Sequence, residues 1–278
     1  MFERDHHNRI QTLLSALDVD FLAQNKCFFG GGTAIVLALG EYRESVDIDF
    51  LCASQEGYRA LRNTIHDTSL GSIFSRPVEL VRDVRADRYG IRTFLRVDGV
   101  PVKFEIVSEG RIEIAGEMNP VTGVPTLTRA DMYAEKLLAN ADRYRDKSVA
   151  SRDIIDLAMM IGHWGAVPAA AWDKARQAYG ASVDRAFRGA IEMVSDRAYL
   201  GQCLAKMHMA PELVNQVPAV LRGETSFAPA PRPTEGKAAA GIAAAARGVR
   251  DVYSRALATP AAPAADVERE PGEDRPAG

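Results

Sequence analysis

Hydrophobic residues recur along this chain with two different periods. Near the N-terminus Ile10, Leu13, Leu14 and Leu17 fall at i, i+3, i+4 and i+7, which predicts one amphipathic helix from about Arg4 to Gln24. His6 and His7 are adjacent in it, point in different directions and read as surface histidines. A short apolar strand, Lys26–Phe29, leads into Gly30, Gly31 and Gly32, and Thr33 is placed to cap an apolar helix over Ala34–Leu39. The run Asp47–Cys52 alternates with period two, putting Asp47 and Asp49 on one strand face and Ile48 and Phe50 on the other. Ser54 opens a helix to about Asp67, with Tyr58, Leu61 and Ile65 inward, and Val78–Val84 reads as a weak strand.

Ile91–Val97 and Val100–Val107 alternate on either side of Asp98-Gly99, a strong tight-hairpin signal. In the second arm Val102, Phe104 and Ile106 share one face, and Lys103, Glu105 and Val107 the other. Arg111–Ala115 is a further candidate strand, and the turn-rich Asn119–Pro125 is the expected domain joint, giving an α/β core over 1–122. After it the pattern is helical. Thr128 and Asp131 form a capping box for a helix from Arg129 to about Arg145, and a long helix is predicted over Val183–Met207. The break after Gly162 puts His163-Trp164 in a packed loop. Beyond Gly223 lie half of the 14 prolines, interleaved with alanine, so 123–222 reads as a helical domain and 223–278 as a tail without a core. Within that tail Ala238–Leu257 has the composition of a transient or partner-bound helix.

Composition narrows the classes. At 278 residues and a net charge of −3 the chain is of ordinary globular make-up, and nothing in the total charge favours wholesale nucleic-acid binding. The three cysteines are odd in number and widely spaced, which suggests neither a disulfide frame nor a zinc cluster, and Cys27 and Cys52 read as buried thiols. The N-terminus is charged, with no signal-peptide core, and no segment has the apolar length to span a bilayer, so the expected location is cytoplasmic.

The chemistry concentrates in Phe28–Phe50. Glycines allow close backbone approach and positive φ, and the N–H groups that open a helix favour an anion. Asp47 and Asp49 side by side repel unless a cation lies between them, and hard oxygen donors suit Mg²⁺. A phosphate-approaching turn beside a divalent-metal clamp suits phosphoryl or nucleotidyl transfer. Rival glycine motifs fail: there is no Gly-Lys-Ser/Thr, and the dinucleotide spacing would need glycine at Ile35. An isolated glycine cluster or Asp-x-Asp would mean only a tight turn and solvated acids; their ordered combination favours function.

Gly31-Gly32-Thr33, a short helix, and then Arg43, Ser45, Asp47 and Asp49 resemble the opening motif of the polymerase-β-like nucleotidyltransferases, and more narrowly the AbiEii/AbiGii toxin family. Lys136-Leu137-x-Ala139-x-x-x-Arg143 resembles that family's second motif and Arg152-Asp153-x-x-Asp156 its third. The resemblance implies a small mixed twisted sheet with helices and a helical domain completing the active site. It implies Asp47, Asp49 and Glu105 as ligands of two Mg²⁺ ions, Glu105 being the match to the third carboxylate of the superfamily. Taken alone, Glu105 is equally well a solvent-facing acid on an ordinary hairpin. The likeness further implies Gly31, Gly32, Thr33, Arg43, Ser45, Lys136 and Arg143 as nucleotide contacts, Asp153 as the group orienting Lys136 or substrate, and Asp156 as support. The activity implied is transfer of a nucleoside monophosphate from an NTP to an acceptor hydroxyl, by a toxin with a separately encoded antitoxin. tRNA 3′ ends are the acceptor implied for some members. A small-molecule or protein hydroxyl, and a non-catalytic nucleotide- or partner-binding module, are the alternatives.

Overall fold

A computed structural model describes residues 1–227, all within one compact unit. The tail segment Ala238–Leu257 lies outside the described residues. In chain order the helices α1 (Asp5–Leu14) and α2 (Val19–Gln24) precede strand β1 (Cys27–Gly30), helix α3 (Gly31–Ala38), strand β2 (Asp47–Cys52) and helix α4 (Gln55–Asn63). Short strands β3 (Glu79–Leu80) and β4 (Arg85–Ala86) lead to the hairpin β5 (Gly90–Val97) and β6 (Val100–Ser108), then β7 (Gly116–Met118) and β8 (Pro125–Leu127). Helices α5 (Arg129–Arg143), α6 (Arg152–Trp164), α7 (Ala169–Tyr179), α8 (Ser182–Ser195), α9 (Arg197–Lys206) and α10 (Leu213–Leu221) complete the described chain.

The fold is α/β on a single mixed sheet, ordered β3-β5-β6-β2-β1-β8-β7 with β4 beside β5. β2 runs antiparallel to β1 and parallel to β6, and β6 pairs with β5 as the predicted hairpin, turning through Asp98 and Gly99 at φ 50° and 77°. Strand β8, beyond the expected joint at 122, joins the sheet by pairing in parallel with β1.

What fixes the register is the face opposite the acids. Phe29, Phe50 and Phe104 are fully buried there, with ring centroids 5.5 Å apart for Phe29–Phe50 and 6.1 Å for Phe50–Phe104. Ile48, Val102 and Ile106 share that core at 1% exposure or less. Burying each such side chain contributes roughly 1.5–3 kcal/mol. A one-residue slip would turn all of them to the other face and the acids inward, so the register is strongly specified.

Several expectations are corrected. The helix predicted over Arg4–Gln24 breaks in two because the Asp18 side chain accepts from Phe21 N and caps α2. The helix over Val183–Met207 breaks for the same reason: Asp196 accepts from Ala198 N and Tyr199 N and starts α9. α3 begins at Gly31, not Ala34, so Thr33 lies inside its first turn and caps nothing. The strand over Val78–Val84 shrinks to Glu79–Leu80, and Arg111–Ala115 is not a strand; pairing resumes at Gly116. The Ser54 helix keeps its cap, Gly57 N donating to Ser54 Oγ, but ends at Asn63. His163 and Trp164 belong to the last turn of α6 rather than a loop. All three cysteines are free and buried. Among the described residues no helix is long and apolar enough to cross a membrane.

Candidate active site

β1 delivers the chain into α3 without a linker, and the glycines permit what then crowds it. At Gly31, with φ +67°, a Cβ would sit 2.6 Å from Asp49 Oδ2. At Gly32 a Cβ would sit 2.4 Å from Arg43 Nη2 and 3.3 Å from Ser45 Oγ. The bare backbone therefore brings the opening of α3 against both an aspartate and an arginine of the same motif. Thr33 is fully buried; its hydroxyl donates to Asp47 O at 2.5 Å and lies 2.8 Å from Ser45 Oγ, which ties α3 to the entry of β2.

On β2 and β6 the parallel register sets Asp47 opposite Lys103 and Asp49 opposite Glu105. Residues in register on neighbouring strands face the same way, so these four side chains share the face predicted for the acids. They line a cavity of about 480 Å³ together with Gly31, Gly32, Arg43, Ser45, Lys136 and Arg143. Thr33 and Asp153 are not among its lining residues. Burial is the largest influence on Asp49 and, with Asp47 and Glu105 adding repulsion against Lys103 and Lys136, pushes its carboxyl up to about 6.

Asp47 and Asp49 offer hard oxygen donors short of compensating charge, a donor set that fits Mg²⁺. Glu105 stands on the expected face, but Arg92 Nε is 2.6 Å from its Oε1 and Lys103 Nζ 2.5 Å from its Oε2. Burial would raise the Glu105 carboxyl; the Lys103 and Arg92 contacts outweigh it and hold it low. Among the described residues no group of three or more His, Cys, Asp or Glu side chains stands ready to hold a metal.

Across the cavity, α5 is started by the Thr128–Asp131 capping box, with Asp131 N donating to Thr128 Oγ1 and Thr128 Oγ1 donating to Asp131 Oδ2. Its face carries Lys136 and Arg143 into a chain of buried ion pairs. Lys136 Nζ lies 3.0 Å from Asp153 Oδ1 and 2.7 Å from Asp156 Oδ2. Arg143 clasps Asp153 through Nε at 2.6 Å and Nη2 at 2.9 Å. Asp156 also accepts from Tyr42 Oη at 2.6 Å and from Arg43 Nε and Nη2 at 2.7 and 2.9 Å, which fills its lone pairs. Burial would raise Asp156, yet Arg43 and Lys136 hold it well below the usual carboxylate range. All three motifs thus meet in one network: Arg43, Lys136 and Arg143 against Asp153 and Asp156.

The sequence reading missed other groups. His7, expected on the surface, is fully buried. Its Nδ1 lies 2.6 Å from Glu41 Oε1, and its Nε2 lies 3.2 Å from Ser45 N. A backbone N–H can only donate, so Nε2 is unprotonated and Nδ1 carries the proton. Glu41 also accepts from Glu3 N and Arg4 N, so the dyad fastens the start of α1 to the loop before β2. No local pattern marks this contact, since the partners are 34 and 38 residues apart. Lys103, Arg111, Glu135, Arg152 and Lys206 also line the cavity. Burial is the largest influence on Glu135, and with Glu109 beside it drives its carboxyl up to about 8.

An acidic strand face and a basic helix that meet across one cavity, with a helix opening on bare glycines between them, define a nucleotidyltransferase. The family of nucleotidyl transferase AbiEii toxins of type IV toxin–antitoxin systems matches residues 12–247, and the chain belongs to it. Among solved structures, the chain is similar to JHP933 from Helicobacter pylori at 14% identity, over 91% of this chain and 100% of that one, with a TM-score of 0.46. It is also similar to an antigenic nucleotidyltransferase-like protein from Paracoccidioides brasiliensis at 15% identity, over 79% and 95%, with a TM-score of 0.37. Both likenesses are distant, and the family match carries the assignment. No curated protein matches the chain.

Proposed function

We propose that this nucleotidyltransferase toxin moves a nucleoside monophosphate from an NTP to an acceptor hydroxyl, with a tRNA 3′ end as the acceptor and Mg²⁺ as the required ion. The observation that carries the reading is the convergence of Asp47, Asp49, Lys136 and Arg143 on one cavity at the opening of α3. Asp47 and Asp49 would hold the ion, with Glu105 joining once a cation leaves one of its oxygens. When bound, the ion polarises the reacting phosphate and offsets the charge of the leaving pyrophosphate.

The remaining work falls to the chain. The N–H groups at Gly31 and Gly32 meet the outer phosphates, where the helix start favours negative charge. Lys136 uses two of its three N–H donors on Asp153 and Asp156 and keeps the third for a phosphate oxygen. Arg143, its side chain 36% exposed, is aimed by Asp153 and adds a second positive charge. Arg43 acts from behind, bound to Asp156, and Thr33 and Ser45 hold the turn. A cytoplasmic location and an antitoxin encoded apart complete the reading.

The test is transfer from each of the four labelled triphosphates into total RNA and into protein extract, with Mg²⁺ and with chelator. Label entering tRNA only with Mg²⁺ is the expected result. Label in protein, or in neither pool, moves the acceptor to a protein or small-molecule hydroxyl. Unchanged transfer and toxicity in Asp49→Ala would refute the catalytic reading.

A further inference from the structure

Lys103 belongs to the acidic face itself. It stands opposite Asp47 in the β2–β6 register, two residues before Glu105, and lines the cavity with all three acids. Its Nζ takes Glu105 Oε2 at 2.5 Å, while Arg92, from the neighbouring strand β5 and not among the cavity-lining residues, takes Oε1 at 2.6 Å. The Glu105 side chain is only 14% exposed, so these contacts are poorly screened by water. Asp47, Asp49 and Glu105 together stabilise the charged form of Lys103, against the cost of its partial burial.

A divalent ion reaching Glu105 from the cavity would need the oxygen that Lys103 holds, and would also meet a fixed like charge. Arg92 does not line the cavity, so the cation that an ion entering there meets at Glu105 is Lys103. Asp47 and Asp49 have no comparable ion-pair partner among the described residues, so a first ion can bind there without displacing anything.

We propose that Lys103 is the resident cation of this carboxylate cluster: while no nucleotide is bound, its ammonium takes the place of a second divalent ion at Glu105, and the protein holds one ion, on Asp47 and Asp49. The inference rests on the reading of that Asp pair as metal ligands. It assigns Lys103 a positioning role: it keeps Glu105 neutralised and correctly placed until a triphosphate brings competing negative charge to the ammonium.

The probe is Mn²⁺, counted by the electron paramagnetic resonance of the free ion against the nucleotide-free full chain. Wild type and Lys103→Arg are expected to bind one ion per chain. Lys103→Met is expected to bind two, and Lys103→Met combined with Glu105→Gln to fall back to one. Circular dichroism checks the folding of each variant; if the Met variant melts early, Lys103→Gln, which can still donate to Oε2 without a charge, is expected to gain the second ion instead. Two ions in wild type, or one in the uncharged variants, would overturn the role of Lys103 and leave the Asp-pair reading intact. No Mn²⁺ on any of these proteins, or undiminished binding in Asp49→Asn, would remove the Asp-pair reading itself and the proposal with it.

Discussion

Arg43 grips Asp156 through two parallel hydrogen bonds, Nε to Oδ1 at 2.7 Å and Nη2 to Oδ2 at 2.9 Å, across 113 residues of chain. Asp156 is fully buried and Arg43 nearly so. Two charges out of water are sustained only because every lone pair of the carboxylate is used, by Tyr42, Arg43 and Lys136. The pair therefore joins the loop before β2 to the helical part of the protein. Removing one partner leaves the others uncompensated: Asp156→Ala should cost about 3–5 kcal/mol of stability, read from denaturant midpoints. Arg43→Met with Asp156→Leu removes both charges and should cost markedly less. Equal losses would mean the network is not a coupled unit.

Gly32 controls the same contact from the other side. A methyl group there would sit 2.4 Å from Arg43 Nη2, and the guanidinium is held on three sides by Asp156 and Glu44 O, so it cannot swing away freely. Gly32→Ala should lower transfer activity and stability together, while Gly99→Ala, where a Cβ meets nothing within 4 Å, should leave activity unchanged. Gly99 sits at φ +77°, so its alanine variant pays only the local backbone cost of about 1–2 kcal/mol. Steady-state transfer rates on the folded fraction of each variant decide the point.

His7 predicts a pH dependence. Burial holds its pKa below the ordinary 6.5, against the pull of Glu41. The unfolded chain therefore takes up a proton that the folded chain refuses as the pH drops below 6.5, so stability should fall on acidification from there until the folded imidazole also protonates. Protonated Nε2 could no longer accept from Ser45 N, which would loosen the loop carrying Arg43. His7→Gln should flatten that segment of the stability profile, measured by thermal melts between pH 7.5 and about pH 5. A His7→Gln profile that runs parallel to wild type across that range would refute the neutral state assigned to His7.

What the sequence made legible, and what it did not, follows from the range of the interactions. The hairpin at Asp98-Gly99, the strand bearing Asp47 and Asp49, and the α5 cap at Thr128 are set by neighbours, and each was readable. The core face of Phe50 and Phe104 was equally plain, and it is what places Glu105 beside Asp49. The two helix breaks were legible in principle, for each lies at an aspartate able to cap the helix after it, but an apolar stripe continuing across the break masked the signal. The His7–Glu41 dyad and the Arg92 contact on Glu105 were hidden because pairing across strands or between distant segments leaves no local period, whereas Lys103, two residues from Glu105 on the same strand face, was in plain view. Thr33 carries more than its place in the motif suggested: besides the expected ligand contact, its buried hydroxyl fastens α3 to β2.

Asp49 separates function from stability most sharply. Its carboxyl is raised from 3.8 to about 6, first by burial and then by Asp47 and Glu105, against Lys103 and Lys136. The folded protein therefore binds a proton more tightly than the unfolded chain does, and stability from this group is present below pH 3.8 and lost as the pH climbs through 6. The shift corresponds to roughly 3 kcal/mol of strain borne by the ionised carboxylate at neutral pH. With chelator present, Asp49→Asn should thus be more stable than wild type at pH 7 by up to about that amount, and the gap should close towards pH 4. Saturating Mg²⁺ should narrow the gap at pH 7 by stabilising wild type alone, because the ion favours the carboxylate and binds only the folded site. Transfer activity should be lost in the same variant at every pH. A variant that is inactive but more stable is what a residue kept for its ligand rather than for the fold would give; an Asp49→Asn protein less stable than wild type at pH 7 without metal would show that the carboxylate is instead a structural anchor.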